Sequence, residues 1–125
     1  MGNHAIVHVE IPARDLKAAG EFYANLFGWQ MTMDEKLNYY MFQSSEQGGG
    51  GFTQVDESKS EFGFQPGQVL VYVNTDNMDA TLAKAESLGG KVLTPKMEVP
   101  QMGWFATFVD PTGNYIGLWQ SMQQG

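Results

Sequence analysis

Apolar and polar positions alternate with period two from His4 to Ile11. Ala5, Val7, Val9 and Ile11 fall on one face, and His4, Ile6, His8 and Glu10 on the other. The alternation predicts a strand with one chemically active face, ended by Pro12. Beyond it the period changes to that of a helix, with Leu16, Ala19, Phe22, Tyr23, Leu26 and Phe27 at apolar positions. Asp15 is placed to cap its start and Gly28 to end it. Three short strands are expected next, at about 29–33, 39–43 and 51–55. Between the last two stand Ser44, Ser45, Glu46, Gln47 and the glycines 48–51, a hairpin turn.

The pattern then restarts. Residues 69–73 read as a strand, and Asp76 as the cap of a helix with Met78, Leu82, Ala85 and Leu88 on one face. Gly89 and Gly90 end that helix. Strands are expected at about 91–93, 103–109 and 114–120, the last two joined by Asp110-Pro111-Thr112-Gly113. Asp15 matches Asp76 and Gly28 matches Gly89, so each half reads βαβββ. The expected fold is α+β: two tandem βαβββ modules. Residues 1–125 form one domain, with modules at about 4–55 and 67–122 and a linker at about 56–66. Neither half alone would bury much surface, so the two are expected to pack together.

Composition narrows the function classes. A chain of 125 residues has room for one domain of ordinary size. Its seven Lys and Arg against fourteen Asp and Glu give a net charge of −7, which argues against nucleic acid as a partner. The absence of cysteine excludes disulfides and thiolate chemistry. With no basic, apolar leader and no run long enough to span a membrane, a cytoplasmic protein is expected. The glycine run at 48–51 lacks the Lys-Ser/Thr of a phosphate-binding loop.

The duplication and several local motifs resemble the vicinal oxygen chelate superfamily, which includes glyoxalases, bleomycin-resistance proteins and extradiol dioxygenases. The resemblance rests on His8-Val9-Glu10-Ile11-Pro12 with Asp15, on Phe22-Tyr23 and Leu26-Phe27-Gly28-Trp29, on Leu88-Gly89-Gly90-Lys91-Val92, and on Phe108 to Ile116. It implies that the two modules form a curved mixed sheet around a cavity, with helices on the outer face, and that metal-dependent members carry four ligands, on equivalent strands of the two modules. Here the first falls on His8, but the others fall near Gly51, at about Leu70 and on Gly117, none of which coordinates. No acidic residue follows Asp110. His8 is thus the only retained candidate for a ligand position, and no metal or other cofactor is expected.

Glu10 lies two residues from His8 on one strand face, about 6.6 Å along the strand, so the two could share an ion or a proton. His4 is about twice as far and cannot join them. Tyr115 and Trp119 flank Gly117 on one strand face, and Tyr72 shares the proposed cavity face of the fifth strand. That arrangement offers a slot for a flat or apolar ligand. Tyr39, Tyr40, Phe42, Trp104 and Phe105 could line the same space. Two functions follow. The first is a metal-independent protein that binds a small organic molecule through His8, Glu10, Tyr72, Tyr115 and Trp119. The alternative is a lyase, isomerase or dioxygenase-type enzyme in which His8 and Glu10 are catalytic, through a rearranged metal site or acid–base chemistry. The resemblance also implies a homodimer.

Overall fold

A computed structural model describes residues 4–34, 39–45, 48–60 and 62–122. Along the chain come β1 (Ile6–Ala13), α1 (Leu16–Phe27), β2 (Gln30–Asp34), β3 (Tyr39–Gln43) and β4 (Gly49–Gln54). Then follow β5 (Leu70–Asn74), α2 (Met78–Ser87), β6 (Lys91–Val99), β7 (Gly103–Val109) and β8 (Tyr115–Ser121). The contacts divide the chain into two compact units. One is Val7–Leu70, and the other joins the residues up to Ile6 to those from Val71 on. Strands of the first unit run in the order β2–β3–β4–β1, with β1 and β4 parallel and the other pairs antiparallel. Those of the second run β5–β8–β7–β6, with β5 and β8 parallel and the rest antiparallel. Each is a mixed sheet carrying one helix, so the chain is an α+β protein built from two βαβββ modules. No described helix is long and apolar enough to cross a membrane.

In the first unit the Asp15 carboxylate accepts the Ala18 N–H at 3.0 Å, and Gly28 closes α1 at φ 76°, which a side chain would disfavour. The helix packs through Leu16, Ala19 and Tyr23 onto Ala13, Phe42 and Phe52. Tyr23, Trp29, Phe42 and Phe52 form a run of ring contacts, the tightest being Trp29 on Phe42 at 4.5 Å. Phe22, Leu26 and Phe27, expected on the packed face, are more than half exposed. The apolar stripe of α1 is wider than the strip of sheet it covers. In the second unit Met78 and Leu82 of α2 pack on Ala106 of β7 and Leu118 of β8.

Four local expectations are corrected. Pro12 lies inside β1 rather than ending it. In the parallel ladder Ala13 bonds toward β4, its carbonyl accepting the Val55 N–H, so the missing N–H of Pro12 points away from that neighbour. Asn77, not Asp76, caps α2, its side chain accepting the Ala80 N–H. Leu88 falls at the helix C-cap and is exposed. Finally, β6 runs on to Val99 because Pro95 is accommodated at register shifts on the outermost strand of its unit. Glu46 and Gln47 of the expected β3–β4 turn lie outside the described residues. Phe52 has no exposed surface, so Phe52→Ala should cost about 3–5 kcal/mol in urea unfolding. Leu26→Ser, on the exposed strip, should cost less than about 0.5 kcal/mol; equal losses would contradict this placement of the core.

Candidate functional site

Alternation along β1 turns Ile11 and Ala13 toward the helix and core and sets His8 and Glu10 on the opposite face. The parallel register pairs Glu10 with Gly51 and Pro12 with Thr53, bringing Thr53 onto the face that carries Glu10. The antiparallel register pairs Met41 with Gly51, so Tyr39, two residues away, shares that face. Tyr40 and Phe42 turn the other way, Tyr40 lying against Gly20 of α1. Three neighbouring strands thus converge four polar side chains: His8, Glu10, Tyr39 and Thr53.

They form one network around the Glu10 carboxylate. His8 Nε2 lies 2.5 Å from Glu10 Oε2 and 2.7 Å from the Tyr39 hydroxyl oxygen. Tyr39 donates its own hydroxyl proton to Oε2, and Thr53 donates to Oε1. The His8 and Glu10 side chains are only 29% and 15% exposed. Burial by itself pushes the Glu10 carboxyl up. The hydrogen bond and charge of His8, with the Thr53 and Tyr39 hydroxyls, outweigh it and hold the group below its ordinary value. The carboxylate is therefore an ionised group set into the sheet face, ringed by donors.

Gly51 permits this geometry. The Tyr39 ring and hydroxyl occupy the space that a side chain at 51 would fill. Tyr39 and Thr53 also form part of the wall of an open depression of about 560 Å³ that reaches Gln54, Val55, Asp56 and Phe64. A second hollow of about 350 Å³ touches His8, Thr32, Met41 and Gln43. Sequence reasoning picked out His8 and Glu10 but not Thr53. Its signal was the period-two spacing from Gly51 along β4.

The donor set does not fit the four-ligand metal centre implied by the resemblance. Among the described residues, no three His, Asp or Glu side chains come together. Gly51 is covered by Tyr39, Leu70 is a buried apolar residue, and Gly117 lies under the ring of Tyr72. That last contact corrects the slot expected between Tyr115 and Trp119. A Cβ on Gly117 would lie 2.5 Å from the Tyr72 ring, so Tyr72 fills the gap. Trp119 leans on Gly103, and Phe105 pairs with Trp119 on the same face, whereas Trp104 packs on the helix side. Tyr115 is exposed, and His4 bonds the Asn74 carbonyl at 3.0 Å.

The Glu10 network predicts an acid dependence of stability. Its carboxyl titrates below the ordinary 4.5 when folded, so the stabilisation is complete above the unfolded value and is lost as pH falls through the folded one. Glu10→Gln should lower stability by about 1–3 kcal/mol at neutral pH. In urea titrations that deficit should shrink below about pH 4; a deficit constant with pH would contradict the assignment.

Comparison with known proteins bears on the scaffold that carries this network. The chain is 28% identical to the anthracycline biosynthesis protein DnrV of Streptomyces peucetius, over 89% of this chain and 45% of that protein. It is 28% identical to the putative glyoxylase CFP32 of Mycobacterium bovis, over 90% of this chain and 44% of the relative. It thus spans less than half the length of either. A methylmalonyl-CoA epimerase structure from Mycobacterium tuberculosis superposes with a TM-score of 0.71, covering 97% of this chain and 91% of that one at 16% identity. A glyoxalase/bleomycin resistance protein/dioxygenase superfamily member from Vibrio splendidus 12B01 superposes at 0.64, covering 95% and 99% at 9% identity. At such identities the two structures speak for the fold alone. The family model itself matches residues 5–118, nearly the whole chain. With its paired βαβββ modules, the chain belongs to the Glyoxalase/Bleomycin resistance protein/Dioxygenase superfamily.

Proposed function

We propose that this chain is a metal-independent, glyoxalase/bleomycin-resistance-like protein that binds a small organic molecule against the polar face of its first module. The observation that carries the reading is the convergence of His8, Glu10, Tyr39 and Thr53 beside two open hollows, with no third acidic or imidazole side chain joining them among the described residues. Pockets that bind small molecules combine apolar walls with a few fixed polar groups, and the network supplies such groups. Its members are already engaged with one another, so the donors that a divalent ion would need are directed inward. The reading includes a cytoplasmic homodimer, whose mass sedimentation velocity would report.

One feature favours a second reading. His8 Nε2 within 2.5 Å of an ionised carboxylate and 2.7 Å of a phenol is an arrangement able to relay a proton. In that reading His8 is the acid–base group, oriented by Glu10, with Tyr39 beside it.

The names of the relatives define the first probes. Purified protein should contain less than stoichiometric divalent metal. In calorimetric titrations with bleomycin, an anthracycline and methylmalonyl-CoA, at least one should bind saturably and lose about tenfold or more in affinity on His8→Ala. A binding protein would show no turnover of that molecule, whereas loss of turnover in His8→Ala would establish the enzyme. One divalent ion per chain, released by His8→Ala, would overturn metal independence.

A further inference from the structure

Burying an ionised carboxylate fixes the hydrogen-bond polarity of the depression beside it. Tyr39 and Thr53 form part of its wall, and each directs its hydroxyl proton to Glu10. Neither has a proton left for a ligand. Three further donors of the wall are committed as well. The Gln54 side-chain nitrogen donates to the carbonyls of Arg14 at 2.9 Å and Ala13 at 3.4 Å, acceptors that orient the amide unambiguously. The Val55 N–H bonds the Ala13 carbonyl and the Asp56 N–H bonds the Phe64 carbonyl. The acceptors that these wall residues carry are the Thr53 hydroxyl oxygen, the Gln54 amide oxygen and the Asp56 carboxylate. Ser58 donates twice to Asp56, both times to Oδ1.

Charge and aromatic surface point the same way. Asp56 stands in the wall and Glu10 behind it, so an anionic ligand would approach two carboxylates and find no donor among these groups. The Lys59 ammonium sits 5.1 Å from the centre of the Phe64 ring and acts on the Asp56 carboxylate, so this aromatic wall accepts a cation, and a ligand ammonium would take the place that Lys59 holds.

We propose that this depression, lined by Tyr39, Thr53, Gln54, Val55, Asp56 and Phe64, recognises its ligand through hydrogen-bond donors, and that the ligand carries an amine or ammonium group on an aromatic or apolar frame. The proposal rests on the small-molecule-binding reading above and adds the chemical class of the ligand.

Two probes of similar size and opposite charge separate the outcomes. The full chain, labelled with nitrogen-15, is titrated at fixed ionic strength with 2-phenylethylammonium and with 3-phenylpropanoate. The ammonium should shift the amides of residues 53–56 and Phe64 saturably and bind at least tenfold more tightly than the carboxylate. Asp56→Asn and Thr53→Val should each reduce that preference several-fold, with folding read from the same spectra. Equal or tighter binding of the carboxylate would overturn the proposal while leaving small-molecule binding in place. A preference that survives the double variant would also overturn it. No saturable shift with either probe would count against the proposal and the binding reading together.

Discussion

A carboxylate set into a sheet face is stable only if donors replace the water it gives up. At Glu10 those donors come from three adjacent strands of the first module: His8 on β1, Tyr39 on β3 and Thr53 on β4. The requirement reaches into the backbone. A one-residue slip of β4 against β1 would turn Thr53 toward the helix, and the same slip of β3 would exchange Tyr39 for Tyr40. Gly51 is the complementary constraint, since the Tyr39 ring needs the volume that any side chain there would take. Register, glycine placement and the ionisation of Glu10 are thus parts of one arrangement, and the character of the adjacent hollows follows from it.

The second module repeats the topology without repeating the chemistry. The parallel register that pairs Glu10 with Gly51 in the first pairs Tyr72 with Gly117 in the second. An acid at the first position draws in hydroxyl donors; a tyrosine at the second lays its ring across the neighbouring glycine. One face is polar and charged, the other aromatic. This is how a shared fold comes to carry different sites, and why family membership alone does not identify a reaction. The superfamily assignment describes the scaffold, and the function has to be argued from the residues on each face.

Much of the scaffold was legible in the sequence because its signals are local. Asp15 and Gly28 bracket α1 through their own capping geometry, and the Asp110-Pro111-Thr112-Gly113 turn joins β7 to β8 as its chemistry requires. Less legible was whatever depended on pairing between distant strands. Pro12 was read as a strand end because the direction of its missing N–H depends on β4, some forty residues away. The slot beside Gly117 looked open because nothing local shows that Tyr72 covers it. His8 and Glu10 stood out through chemistry and spacing on a single strand. Thr53 did not, because its role exists only through the register of β1 and β4. Tyr39 could not be told from Tyr40, since period two alone does not say which face is which.

The whole arrangement depends on the Glu10 carboxylate being ionised in the folded protein and taking its hydrogen bonds from His8, Tyr39 and Thr53. A carboxylate 2.5 Å from His8 Nε2 has no proton of its own to offer, so that nitrogen must carry one. Nitrogen-15 NMR of the His8 ring at neutral pH reads this directly. A protonated Nε2 with a strongly downfield proton resonance that moves upfield in Glu10→Gln is the expected result. An unprotonated Nε2, or a resonance indifferent to Glu10→Gln, would contradict it.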